Sequence, residues 1–248
     1  MSPIRIGELE RIADLAYPAE HVEDLDGWLL RMSGDLGRRV NSVAPVAAGS
    51  LPLGEKIDLA EAWYRDRGRA PIFKLTGAAA PPHLDSALAG RGYWEEAAVI
   101  VMIRQVPGGG TMPGDVVLAG FPDRAWRRAL RHFSGKSAER VAALPDLVAR
   151  APGPAAYVSV LRDGQVVGVA LGVVVEAHLG LFEVFVDPSR RRQGAGRRMM
   201  DGLEAWGAAR GAVAAFLQVE ERNQMARAFY GALGYADAHR YWYRVAGP

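Results

Sequence analysis

The chain has 248 residues, 50% of them hydrophobic, with 30 basic against 28 acidic side chains and no cysteine. That is enough to bury a full core, in one large domain or two small ones. The +2 balance leaves no global field that would imply nucleic acid, and the absence of thiols excludes disulfides, thiolate metal sites and cysteine nucleophiles.

The first residues, MSPIRIGELERIADLAYP, are charged and helix-patterned. They are not a basic segment followed by an apolar one, so no signal peptide is expected. No run of about 18 or more apolar residues offers a membrane span. The expectation is a soluble cytoplasmic chain without a membrane or nucleic-acid partner.

Ala97 to Arg104 is strand-like and runs into Pro107-Gly-Gly-Gly-Thr-Met-Pro-Gly114, a breaker cluster without apolar periodicity. A linker over 107–114 divides the chain into domains 1–106 and 115–248. After the linker, Val116 to Ala119 reads as a short strand, Pro122 to Phe133 as a helix with proline in its first turn, and Ala138 to Val148 as a second helix. Ala156 to Leu161, Gln165 to Val175 and Gly180 to Val186 read as strands, the first two joined by the hairpin turn Asp163-Gly164. A helix over Ala195 to Ala209, a strand over Val213 to Val219, a helix over Asn223 to Leu233 closed by Gly234, and a strand over Tyr235 to Val245 complete the order β-α-α-β-β-β-α-β-α-β. This predicts an α/β (α+β) fold: a mixed, mostly antiparallel sheet with flanking helices.

Five arginines fall within nine residues, 190–198, around Gly194-Ala195-Gly196, between an expected strand and an expected helix. Glycines let the backbone approach a ligand, and the first amides of a helix have no intrahelical partner and attract anions, phosphate above all. Arginines add bidentate contacts to phosphate oxygens. The P-loop pattern fails for want of Gly-Lys-Ser/Thr, and the dinucleotide fingerprint fails because Met199 stands at its third glycine. A solvated basic helix start with turn glycines is the plain alternative.

The remaining pattern is Val186-Asp187-Pro188 followed by Arg191/Arg192-Gln193-Gly194-Ala195-Gly196. Downstream, in the same order as the family's motifs, stands Asn223-Gln-Met-Ala226-Arg-Ala-Phe229-Tyr230-Gly-Ala-Leu233-Gly234-Tyr235. Together they resemble the pyrophosphate loop and the N-x-x-A-x-x-F-Y-x-x-L-G-F/Y signature of the GNAT N-acetyltransferase superfamily, and the resemblance covers about residues 115–248. It implies an acetyl-CoA-dependent N-acetyltransferase that moves an acetyl group to a primary amine by direct attack in a ternary complex. In this family two parallel strands splay apart around the pantetheine arm. The resemblance therefore assigns backbone groups of Val184, Phe185 and Val186 to pantetheine. It assigns the amides of Arg191, Arg192, Gln193, Gly194, Ala195 and Gly196 to pyrophosphate. Arg197 and Arg198 either reach phosphate or face solvent.

Asn223 is the family's side-chain contact to the pantetheine region, and Asn is also a good helix N-cap. Tyr230 is the expected general acid for the thiolate leaving group; its alternative is a core tyrosine beside Phe229. Glu183 interrupts an apolar strand and is the candidate base, or else a charge on the open side of the sheet. Glu220 and Glu221 are weaker candidates. The five histidines form no pair at ligand spacing, so no metal is implied. The competing classes are an acyl-CoA-binding regulatory module without catalysis and a basic-loop nucleic-acid binder. The acceptor, a small-molecule or peptide amine, is not readable.

The halves also resemble each other. DLAEAWYRDRGRAPIFKLT from Asp58 aligns without gaps with DGLEAWGAARGAVAAFLQV from Asp201, an offset of 143 residues. Glu61, Trp63, Arg67, Gly68 and Phe73 match Glu204, Trp206, Arg210, Gly211 and Phe216; Val43-Ala-Pro45 falls on Val186-Asp-Pro188, and Gly92-Tyr93 on Gly234-Tyr235. The first half reads as a degenerate GNAT-like copy. AGSLPL over Ala48 to Leu53 stands at the pyrophosphate loop and Leu88 at the catalytic tyrosine, so this half is expected to be non-catalytic. Trp28, Trp63 and Trp94 are expected in core or inter-domain packing. The molecule is then either a monomer with an internal pseudo-dimer or a homodimer.

Overall fold

The computed structural model describes residues 4–108 and 110–247; Gly109 of the expected linker lies outside them. The first half runs α1 (Ile6–Ala16), β1 (His21–Leu25), β2 (Trp28–Met32), β3 (Val43–Pro45), α2 (Leu53–Arg65), β4 (Ile72–Thr76), α3 (Leu84–Gly90) and β5 (Trp94–Gln105). The second runs β6 (Val116–Ala119), α4 (Arg124–Ser134), α5 (Ala138–Val148), β7 (Ala155–Arg162), β8 (Gln165–Val175), β9 (His178–Val186), α6 (Ala195–Ala208), β10 (Ala214–Glu220), α7 (Gln224–Ala232) and β11 (Ala236–Val245). The expected order of the second half is reproduced. Helix α4 begins after the proline rather than on it, because the Asp123 carboxylate accepts the Trp126 amide at 2.7 Å and caps the helix there.

All the described strands join one sheet in the order β1-β2-β3-β4-β11-β5-β10-β9-β8-β7-β6. It is mixed and mostly antiparallel, with parallel pairs at β3/β4 and β9/β10. The last strand of each half crosses over: β11 pairs with β4 and β5 with β10, and the two pair with each other at the centre. The halves therefore share a continuous sheet. Period-two alternation serves two layers. On β10, Phe216 enters the core under α1, α4 and α5, whereas Ala215 and Leu217 enter the core under α6 and α7. A third core in the first half surrounds Trp28, Ile57, Phe73 and Leu88. Trp94 departs from expectation. It is 41% exposed, at the start of β5. Among the described residues no helix is long and apolar enough to cross a membrane.

Aligned residues of the two halves make the same contacts. The Tyr93 hydroxyl donates to Glu61 at 3.1 Å, and the Tyr235 hydroxyl to Glu204 at 2.7 Å. Arg67 lies over the Trp63 ring at 3.9 Å and Arg210 over Trp206 at 4.6 Å. Gly68 and Gly211 both hold left-handed φ values, 69° and 84°, after their helices. Elements correspond as well: β3-α2-β4-α3-β5 follows the order of β9-α6-β10-α7-β11.

A buried ionic cluster ties the first helix to both halves. Glu10 of α1 pairs with Lys74 of β4 and, at 2.6 Å, with His239 of β11. Burial opposes its charge, but the field of Lys74 and the bonds from His239 and Lys74 outweigh burial and bring its pKa from the ordinary 4.5 to about 2. A carboxyl with a lowered pKa contributes stability above its ordinary value and loses it as pH falls through the folded one. We expect Glu10→Gln to cost about 3 kcal/mol in urea unfolding at neutral pH, since Lys74 is left buried without its anion. The wild type should lose part of its stability from pH 4.5 down to about 2, and the variant should lack that part.

Candidate active site

Strand β9 is bulged. Leu171 of β8 opposes Phe182 and Val169 opposes Phe185, so Glu183 and Val184 together face the single residue Ala170. Glu183 takes a φ of 50°, in the left-handed region that costs a branched or bulky residue most. On its other edge β9 pairs with β10 from His178↔Ala214 to Leu181↔Leu217 and no further, although β9 continues to Val186 and β10 to Glu220. Past Leu181 the two parallel strands diverge. The edge of Phe182 to Val186 that faces β10 is left without a strand partner, while β10 remains paired with β5 through Glu220.

A cavity of about 690 Å³ opens in this gap. It brings together Glu183, Val184, Phe185, Asn223 and Tyr230 of the residues expected from sequence. Val186, half-buried at the end of β9, does not line it, nor do the residues of the basic loop. That loop follows a 3-10 turn over Pro188–Arg190. Arg191, Arg192, Gln193 and Gly194 are exposed, and Ala195 is buried beneath them. Gly194 caps α6 with a φ of 84°, and Arg192 has a φ of 61°. Among the described residues none of the amides from Arg191 to Arg197 donates to a protein acceptor. Gly196 lets the loop sit on Phe229, whose ring a Cβ there would meet at 3.0 Å. Arg197 is exposed, 3.9 Å from Asp201. Arg198 is tied down by Asp115, which also holds Arg162.

The corresponding loop of the first half is closed by the chain itself. The Asp26 carboxylate accepts the amides of Ser50 and Leu51, at 2.8 and 2.9 Å, and the Ser50 hydroxyl. These amide bonds hold its pKa far below the usual carboxylate range. Lys56, fully buried, donates to the Asp26 and Ala48 carbonyls. β3 and β4 pair at Val43↔Phe73 and then diverge around a second, apolar cavity of about 500 Å³, which shares Tyr17 and Arg39 with the first.

The residues of the second half fit acetyl-CoA, which the fold implies. An unpaired strand edge can bind an extended amide-bearing arm, and a run of unpartnered amides flanked by arginines can bind a diphosphate. Three polar side chains line the cavity beside the unpaired edge, Tyr230, Asn223 and Glu183. Tyr230 is buried on α7, and burial pushes its hydroxyl pKa up, so the group stays protonated. Asn223 is the N-cap of α7, its Oδ1 accepting the Ala226 amide at 3.1 Å, so its amide nitrogen is left for a ligand. Glu183 does not face bulk solvent. Its side chain is 9% exposed and ion-paired with Lys136, whose own pKa burial lowers against the opposing pull of Glu183.

Sequence reasoning missed Lys136, and also Tyr17, Arg39 and Tyr241, all of which line the cavity. Lys136 had a weak signal, as the one charge in the short Gly135-Lys136-Ser137 break between two helices. The others come from the first half and from β11, and nothing local marks them.

The family described as the C-terminal domain of the probable histone acetyltransferase Rv0428c matches residues 2–244. The chain belongs to the GNAT N-acetyltransferase family. Acyl transfer is thus the class of chemistry to which this GNAT member is assigned. An uncharacterized N-acetyltransferase, YobR, of Bacillus subtilis is 26% identical over 245 residues, covering 97% of this chain and 98% of YobR. The probable histone acetyltransferase Rv0428c of Mycobacterium tuberculosis is 29% identical over 229 residues, covering 89% of this chain and 68% of its own. Among solved structures, a GCN5-related N-acetyltransferase from Kribbella flavida aligns with a TM-score of 0.69 at 15% identity, covering 100% of this chain and 97% of that one. A tandem GNAT protein from the clavulanic acid biosynthesis pathway aligns with a TM-score of 0.59 at 14% identity, covering 79% of this chain and 70% of its own. Both structural likenesses are of fold.

The Glu183–Lys136 pair can be checked directly. Lys136→Met should lower stability by about 3 kcal/mol, because a buried carboxylate loses its cation. The double variant Lys136→Met, Glu183→Gln should recover most of that loss in urea unfolding.

Proposed function

We propose that this GNAT member is an acetyl-CoA-dependent N-acetyltransferase whose second half, residues 115–248, carries the chemistry and acetylates a primary amine directly in a ternary complex. One observation carries the reading: β9 and β10 part at Leu181/Leu217, and Glu183, Asn223 and Tyr230 meet in the cavity so opened. Acetyl-CoA supplies an activated acetyl thioester. Backbone groups of Val184, Phe185 and Val186 would hold its arm, and the amides of Arg191 to Gly196, with the guanidinium groups of Arg191, Arg192 and Arg197 nearby, its diphosphate. Asn223 would offer its side-chain nitrogen to the arm. Glu183 would take the proton from the incoming ammonium, and Tyr230 would give its proton to the departing sulfur.

The first half is proposed as a degenerate copy, residues 1–106, joined by a linker over 107–114. The matching tyrosine–glutamate bonds and arginine–tryptophan stacks support this. Its anion loop is satisfied by Asp26, and Leu88 lies fully buried where Tyr230 stands in the other half. It would take no acetyl-CoA and would instead furnish Tyr17, Arg38 and Arg39 to the cavity. The central β5–β11 pairing supports an internal pseudo-dimer acting as a monomer.

One observation favours a second reading, an acyl-CoA-binding regulatory module without catalysis: the proposed base is already engaged by Lys136. Thiol release from acetyl-CoA with a panel of amines separates the two. Tyr230→Phe should lower kcat by about 10²–10⁴-fold with acetyl-CoA affinity kept. Replacing Arg191 and Arg192 by Gln should weaken acetyl-CoA binding and flatten its salt dependence, whereas Asp26→Asn should leave that affinity unchanged. Acetyl-CoA binding without acetylation of any amine would establish the regulatory module instead.

A further inference from the structure

The cavity holds more positive charge than its carboxylates balance. On β9, Glu183 stands between Phe182 and Phe185. The Arg39 guanidinium lies over the Phe182 ring, 5.3 Å from its centroid, and the Lys136 ammonium lies over the Phe185 ring at 5.2 Å. Arg140 of α5 joins them from the side. Its guanidinium lies so close to Gly37, which has a φ of 99°, that a Cβ there would meet Nη2 at 2.8 Å. Lys136 is balanced by Glu183, and Arg38 by Glu96 at 2.6 Å. Glu220, the other acidic residue of the lining, is turned to Arg222 at 2.7 Å. Among the described residues neither Arg39 nor Arg140 has a carboxylate within ion-pair distance.

Arg39 is nonetheless held in place. It stacks on Tyr17, 5.3 Å from the ring centroid, as well as on Phe182. Three cations around one carboxylate repel one another, and, after burial, both arginines oppose the charge of Lys136. An anion entering between Arg39 and Arg140 would relieve that repulsion with charge-assisted bonds. The diphosphate of acetyl-CoA is not that anion under the reading above, because the Arg191–Gly196 loop lies past the end of β9 and outside this lining.

Resting on that reading, we propose that the acceptor is a primary amine bearing an anionic group, a carboxylate or phosphate. Arg39 and Arg140 bind the anion, and the ammonium is drawn to Glu183.

Thiol release with saturating acetyl-CoA tests this on paired probes: β-alanine against β-alanine amide, phosphoethanolamine against ethanolamine, with spermidine and a lysine-rich peptide as cationic contrasts. The anionic member of a pair should show a kcat/KM at least about tenfold higher. Arg140→Gln should abolish that preference through KM, bringing the anionic member of each pair to the level of its neutral partner. Equal rates within pairs, or preference for spermidine or the basic peptide, would overturn the inference while leaving the acetyltransferase reading intact. If no amine is acetylated, the acetyltransferase reading falls, and calorimetry with glutarate on the coenzyme A-loaded protein decides the anion site. Binding weakened about tenfold in Arg140→Gln upholds the site; no glutarate binding overturns it. Gly37→Ala, which displaces Arg140 without removing it, should move glutarate binding in the same direction.

Discussion

Between Leu181 and Glu183 the chain leaves the β10 ladder while keeping its bonds to β8. Two residues of β9 then occupy the space of one, and the extra residue turns the strand. A bulge increases local twist, and a twisted strand cannot follow a parallel neighbour whose far edge is fixed. β10 is so fixed, by β5, along its whole length. The ladder therefore opens on one side only. That one-sided opening leaves backbone groups of β9 facing a cavity and carries Glu183 into it, and it makes room for Tyr230 and Asn223 on the next helix. The left-handed conformation of Glu183 is the local strain that accompanies it.

The same opening occurs in the first half, where β3 and β4 meet at a single pair before diverging. What differs is the fate of the loop that follows. In the second half, among the described residues, the amides from Arg191 to Arg197 have no protein acceptor, and arginines flank them. In the first, an internal carboxylate accepts the Ser50 and Leu51 amides. An anion site filled by its own chain gains nothing from an external phosphate, which would have to displace Asp26 and lie beside it. Lys56 further braces the arrangement from a fully buried position. The proposed copy has thus kept the framework bonds, Tyr93 to Glu61 among them, and converted the anion loop into a structural joint.

The parts of this molecule legible in the sequence were those governed by local pattern. Strand alternation, the Asp163-Gly164 turn, Gly234 after α7 and the glycine-rich loop before α6 all depend on near neighbours, and each stands where pattern placed it. The internal similarity was legible because Trp63/Trp206 and Glu61/Glu204 sit in helices that pack in the same way. The exchange of β5 and β11 was not legible. Either strand could pair within its own half, and the choice rests on long-range packing. Lys136 was invisible for a related reason: its meaning comes from Glu183, 47 residues away. The environment of Glu183 was likewise undecided by sequence, since a charge in an apolar strand can face solvent or a partner.

The strand exchange also explains why the first half persists although its own loop is closed. Tyr241 and Tyr243 reach the cavity from β11, which is held on its outer edge by β4 of the first half. Tyr241 donates to Gln218 of β10 at 2.9 Å, reaching past β5, which lies between the two strands. Arg39, in turn, stands on Tyr17 of α1, and α1 is anchored by Glu10 to Lys74 and His239. Removing the first half would therefore leave β11 without its outer neighbour and strip the cavity of the wall that faces Glu183. Neither half completes this cavity alone, and the joint between them is the exchanged pairing of β5 and β11, braced by the buried Glu10 cluster.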